Sequence, residues 1–179
     1  MALVAPFIFQ VVGFQNSGKT TITTQLIETL TNLGIKTVTI KHHGHGGKPD
    51  VLEQKDSTRH ISSGAIASIV EGSGRMVLQA DELKLCLEDQ IELLKFFQPD
   101  VILIEGYKQK NYPKLLLLKE KEDLHLLKSL TNICAIVYWN EDLITENLYP
   151  AFSINDKTII KRAAEFITGF VHKNDEKSY

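Results

Sequence analysis

Residues 13–20, GFQNSGKT, have the spacing G-x-x-x-x-G-K-[ST] of a loop that binds nucleotide phosphates, the Walker A pattern. Gly13 and Gly18 let the chain turn so that successive backbone N–H groups point inward at phosphate oxygens. Lys19 is expected to reach the β and γ phosphates and to act in any turnover, and Thr20 to offer its hydroxyl to Mg²⁺. Asn16 and Ser17 are small polar residues suited to supporting the turn. Such a site also needs a carboxylate at the C-terminal edge of a neighbouring strand, to hold the Mg²⁺ shell or orient water. DVILIEG, residues 100–106, supplies two candidates. Asp100 opens the strand, about 16 Å from its other end, and ligands of parallel sheets bind beyond the carboxyl ends. Glu105 is therefore the expected metal and catalytic acid.

Other residues in reach of this chemistry are less specific. KHHGHGGKPD, residues 41–50, follows a strand and so opens on the same edge as the phosphate loop. His42, His43 and His45 are imidazoles that suit a divalent metal, an anionic ligand, or nothing beyond a polar loop. Asp50 and Asp56 are nearby acids, and Asp56 is taken as a third metal candidate beside Thr20 and Glu105. A small-molecule kinase normally closes arginines over the transferring phosphoryl group. Arg59, Arg75 and Arg162 are the arginines present, and no lid-like insertion groups them. Asn140 and Asp142 follow a late strand with the spacing N-x-D, which departs from a guanine-reading N-K-x-D and equals ordinary turn chemistry. The residues alone leave GTP and ATP both open, and with them an ATP-using kinase and a metal-handling GTPase.

The elements that must position these groups follow from periodicity. Phe7 to Val12 is an unbroken apolar run ahead of a glycine, the mark of a strand buried on both faces. Ile22, Leu26, Ile27, Leu30 and Leu33 share one face of a helix that Gly34 closes. Residues 35–41 read as a second strand, 42–55 as a long loop and 56–63 as a short helix. AIASIV, EGSG and RMVLQA, residues 65–80, predict a β-hairpin. Leu83, Leu87, Ile91 and Leu94 predict a helix with Asp81 as its N-cap. Strands are expected at 101–105, 114–119 and 133–139, a short helix at 122–130 and a last helix at 156–171.

Strands alternating with helices imply a largely parallel sheet covered on both faces. The expected fold is a three-layer α/β P-loop NTPase with an inserted hairpin, one domain over residues 1–172 and a polar tail at 173–179. At 179 residues, 43% apolar and 23% charged, the chain has ordinary globular composition. Its net charge of −2 gives no electrostatic case for nucleic acid or an anionic membrane. Cys86 and Cys134 have no CxxC spacing, which fits a reduced compartment. The N-terminal MALVAPFIFQVVGF lacks a charged n-region and a small-residue cleavage site, and no apolar run approaches the length of a membrane span. A cytoplasmic protein is expected.

GFQNSGKTT, then TIKHHGH, then KDSTRHISSGA, then DVILIEGYK, in this order, resemble the molybdopterin-guanine dinucleotide biosynthesis protein MobB family. The resemblance covers roughly residues 7–120, and the block between the phosphate loop and VILIEG is its distinctive part. It implies a GTPase-like protein of the nitrogenase-iron-protein type with Mg²⁺ and weak or no hydrolysis of its own. It also implies an accessory role beside the guanylyltransferase MobA, which attaches GMP to molybdopterin, and it leaves open a contact with molybdopterin itself. The family's phosphate-loop residues fall on Gly13, Gln15, Asn16, Ser17, Gly18, Lys19, Thr20 and Thr21, and its acidic strand end on Glu105. The family tends to be dimeric, which makes the hairpin at 66–79 a place for strand pairing between copies.

Overall fold

In the computed structural model the apolar run ahead of the phosphate loop forms β1 (Phe7–Val12), and the loop leads directly into α1 (Lys19–Asn32). Residues 5–42, 44, 56–81, 83–144 and 148–175 are described. The chain continues through β2 (Thr37–Lys41), α2 (Asp56–Ser62), β3 (Ala67–Gly72), β4 (Arg75–Ala80), α3 (Leu87–Lys95) and β5 (Val101–Glu105). It ends with β6 (Lys114–Leu118), a 3₁₀ turn at Lys121–His125, α4 (Leu126–Ser129), β7 (Ile133–Tyr138), β8 (Ala151–Ser153) and α5 (Thr158–Asp175). Residues 1–44 with 91–179 form one compact unit, and 45–90 form another.

The first unit is built on a six-stranded sheet of order β2-β5-β1-β6-β7-β8. Every pairing in it is parallel, as expected for a mostly parallel α/β P-loop architecture. The period of two in a strand explains how the leucine run of β6 is used. Leu115 and Leu117 join Val11, Leu26, Leu30, Leu103, Ile159 and Ile167 on one face, where α1 and α5 pack. Leu116 and Leu118 join Val12, Leu126, Ile136 and Leu143 on the other. A strand sandwiched this way has no polar face, which is why its sequence is continuously apolar.

Lys114, the first residue of β6, is fully buried. Its ammonium donates to the carbonyls of Lys110 and Thr131 at 2.7 Å each. It thereby ties the β5–β6 connection to the segment entering β7, and burial lowers its pKa.

The second unit contains the expected hairpin, tighter than the sequence pattern suggested. β3 and β4 pair antiparallel from Ala67↔Ala80 to Gly72↔Arg75, leaving a two-residue turn. Ser73 (φ 52°) and Gly74 (φ 77°) both take left-handed conformations there, as turns matching the strand twist require.

Three expectations need correction. The helix after the hairpin begins at Leu87, so Asp81 is not its cap and Leu83 lies outside it. The Asp89 carboxylate instead accepts the Cys86 N–H at 2.9 Å, fixing the first turn from within, as the second half of a capping box does. The three-residue β8 was not anticipated, being too short for any alternation to register. The last helix runs to Asp175, and its entry is set by the Asp156 carboxylate accepting from the Thr158 N–H at 2.8 Å. That bond also holds the Asp156 pKa below the ordinary carboxylate value.

Candidate functional site

The loop between β1 and α1 is shaped by contacts that only certain residue types permit. A Cβ on Gly13 would stand 2.7 Å from Ser17 Oγ and 2.8 Å from the Leu117 carbonyl oxygen. Since that carbonyl belongs to the core strand β6, the position excludes any side chain. Asn16 (φ 56°) and Gly18 (φ 94°) supply the left-handed backbone that returns the chain into α1. Gln15, Asn16, Thr20 and Thr21 are exposed, whereas Ser17 is buried. Its Oγ has no hydrogen-bond partner among the described residues, an orphaned polar atom inside the cradle.

Lys19 folds back over this loop and donates to the Phe14 carbonyl. Partial burial lowers its pKa, Glu105 opposes that shift, and the like charges of Lys108 and Lys41 add to it. The Lys108 ammonium lies 3.7 Å from the centre of the Phe14 ring, a cation–π contact, and the His125 ring is tilted against the same phenyl at 5.7 Å. The loop is thus surrounded by cations in a chain whose net charge is negative, a local field suited to a polyanion.

Glu105 closes β5 at the same edge. Thr20 Oγ1 donates to its carboxylate, at 2.9 Å from Oε1 and 3.1 Å from Oε2. Lys41, at the end of β2, contacts both groups: its Nζ is 3.2 Å from Thr20 Oγ1 and 3.4 Å from Glu105 Oε1. A hydroxyl and a carboxylate are hard oxygen donors of the kind Mg²⁺ prefers, so the set fits that ion. Asp100 lies at the opposite end of β5, where its carboxylate accepts the Lys36 N–H at 2.7 Å. It joins β2 to β5 and is remote from the loop.

Several side chains at this edge escaped the sequence reading. Gln10 is fully buried in β1, and its amide donates at 3.0 Å to the carbonyls of Gly106 and Tyr107, fixing the backbone just past Glu105. Trp139 follows β7, and its indole N–H donates at 2.9 Å to the Ser17 carbonyl inside the loop. A glutamine in an otherwise apolar strand was a readable signal for the first. A tryptophan at the C-terminal end of a strand was a fainter one for the second.

The Asn140–Asp142 pair resolves as turn chemistry. Asn140 Oδ1 accepts from the Asp142 N–H at 3.1 Å and caps a short 3₁₀ turn at Glu141–Leu143. His42 stacks on Tyr107 with ring centres 4.3 Å apart. His43, His45 and Asp50 lie outside the described residues, as does the side chain of Asp56. Among the described residues no group of three or more His, Cys, Asp or Glu is placed to hold a metal ion. No described helix is long and apolar enough to cross a membrane.

Comparison with known proteins adds independent findings. The family model described as molybdopterin guanine dinucleotide synthesis protein B matches residues 8–139. A probable molybdopterin-guanine dinucleotide biosynthesis adapter protein of Bacillus subtilis (strain 168) is 45% identical over 163 residues, 89% of this chain and 93% of its own. The corresponding adapter protein of Haemophilus influenzae is 29% identical, over 90% of this chain and 88% of its own. The crystal structure of Bacillus subtilis MobB superposes with a TM-score of 0.75 at 38% identity, covering 88% of this chain and 96% of that one. With the phosphate loop, the parallel sheet and this match in agreement, the chain belongs to the MobB family.

Proposed function

We propose that this chain is a GTP-binding adapter in the biosynthesis of molybdopterin guanine dinucleotide, acting in the cytoplasm beside the guanylyltransferase MobA, with weak or no GTP hydrolysis of its own. The observation that carries this reading is the Thr20–Glu105 bond at the mouth of a loop built on Gly13, Asn16 and Gly18, in a chain whose relatives are named adapters of that pathway.

In this reading the N–H groups from Gly13 through Thr21 hold the triphosphate, and Lys19 leaves the Phe14 carbonyl for the β and γ phosphates. Thr20 and Glu105 are the residues that would hold Mg²⁺, which would supply Lewis-acid charge to the phosphates when bound. Ser17 Oγ gains a partner, and Trp139 holds the loop through the Ser17 carbonyl. Slow turnover fits the cations that the first unit itself brings to the loop. Within the first unit, Arg162 lies on α5 against the Phe152 ring. The loop itself is faced by lysines, which lack the bidentate geometry that stabilises a transferring phosphoryl group.

The adapter is proposed to act as a homodimer joined through the hairpin. Ile69, Val70, Met76, Val77 and Leu78 are all exposed although α2 packs against the hairpin, so the ribbon keeps apolar surface that a second copy can cover.

Thermal unfolding with Mg²⁺ plus GTP, plus ATP, or with no nucleotide tests the nucleotide reading. At about 100 times Kd a ligand adds about 2.7 kcal/mol, a shift of roughly 5–10 °C at this size. A shift with GTP and little with ATP is the expected result. The reverse preference would favour a kinase, and no shift with either would overturn the site.

A further inference from the structure

Lys41 is not part of the phosphate-binding motif, yet its ammonium contacts the two oxygens assigned above to the metal. The register of the sheet puts it there. β2 and β5 pair in parallel with Lys41 opposite Glu105, and the next residue, His42, donates its N–H to the Glu105 carbonyl at 2.9 Å. The backbone on either side of the contact is therefore fixed. The two partners differ sharply in solvation. The Glu105 side chain is 10% exposed and that of Lys41 is 62% exposed. A carboxylate this buried is costly without a compensating cation, whereas an exposed lysine head leaves a pairing at small cost.

We propose that Lys41 is an internal counter-cation that occupies the Thr20–Glu105 oxygens in the absence of metal and has to be displaced for a divalent cation to bind. The inference rests on the nucleotide-site reading and deepens it. A divalent ion and an ammonium cannot share the Thr20 hydroxyl and the same carboxylate oxygen, so metal alone binds poorly. A triphosphate changes the balance, because its negative charge receives the displaced ammonium. Metal and nucleotide then bind as a coupled pair, and either alone leaves the site in its lysine-filled state. Lys19 does not duplicate this role, since its ammonium is engaged with the Phe14 carbonyl.

The test is Mn²⁺ binding to the full chain, followed by the electron paramagnetic resonance of the free ion. Wild type, Lys41→Met and Lys41→Arg are compared, each alone and with a non-hydrolysable GTP analogue. Without nucleotide, Lys41→Met should bind Mn²⁺ about five- to tenfold more tightly than wild type, as removal of one partly solvated like charge implies. Lys41→Arg should stay within about twofold of wild type. The factor by which nucleotide strengthens Mn²⁺ binding should fall by a similar five- to tenfold in Lys41→Met. Equal or weaker Mn²⁺ binding by Lys41→Met without nucleotide overturns the role given to Lys41. Failure of the wild type to bind Mn²⁺ even with nucleotide overturns the metal site itself and the inference with it. Exposure of Lys41 makes both variants compatible with folding, which their melting curves check.

Discussion

The phosphate loop and the hairpin are both glycine-containing turns between strands or helices, and they are finished in opposite ways. The loop is surrounded: Gly13 is packed against β6, Ser17 is held by Trp139, and Lys19 caps Phe14. The hairpin has its ladder complete from Ala67↔Ala80 to Gly72↔Arg75 and several apolar side chains left half exposed to water. One region is specified by contacts already present within the chain. The other has its backbone satisfied and its hydrophobic surface unspent, which is the condition of an interface. The proposed nucleotide binding and the proposed assembly are therefore separable by mutation.

The largest effect is expected at the hairpin. Ile69→Glu with Leu78→Glu places two carboxylates on one apolar face, since these residues are cross-strand partners. Sedimentation should show the proposed dimer weakened more than a thousandfold, with GTP affinity changed less than twofold. Loss of nucleotide binding along with the dimer would break the separation. Next, Lys19→Ala should weaken GTP about a hundredfold or more by calorimetry, as expected for a charge-assisted contact to phosphate, and leave the sedimentation unchanged. Retained affinity would show that the loop binds without its lysine.

Lys114→Met probes the first unit beneath the loop. It removes the ammonium that the Lys110 and Thr131 carbonyls share and should cost about 2–4 kcal/mol in urea unfolding. Its pH dependence has a definite sign. The folded pKa of Lys114 lies below the ordinary 10.5, so between those two values the unfolded chain binds the extra proton and stability rises with pH. That upward contribution, confined to the range just under pH 10.5, should vanish in Lys114→Met. The smallest effect belongs to Trp139→Phe, which keeps a ring and removes the bond to the Ser17 carbonyl. GTP affinity should fall by less than tenfold, about 1 kcal/mol, again without effect on assembly.

The sequence made local features legible and left tertiary ones hidden. The loop, β1, the leucine strand β6 and the hairpin each carry their signal within a few residues, in glycine spacing or in a period of two. Glu105 was separable from Asp100 because strand direction decides which end faces the loop, and Asp100 does lie at the far end, bonded to Lys36. The start of α3 was misplaced because a suitable cap at Asp81 competes on paper with Asp89, and only the bond to the Cys86 N–H distinguishes them. Lys41, Gln10 and Trp139 take their contacts from partners many residues away, and Lys114 joins a near carbonyl to a distant one. Nothing in their immediate neighbours announces the strand register or the crossing segment that supplies those partners.

The bond from Trp139 to the loop has an optical consequence. The chain has a single tryptophan, and its indole N–H is fixed to the Ser17 carbonyl. Indole emission responds to the electric field along the ring and to solvent at the nitrogen, so a rotation of that carbonyl or the arrival of several negative charges alters both. Excitation at the red edge of protein absorbance therefore interrogates one bond, made to the loop itself. The proposed filling and emptying of the loop can be followed in real time on the unlabelled protein, with no second fluorophore of its kind to dilute the signal.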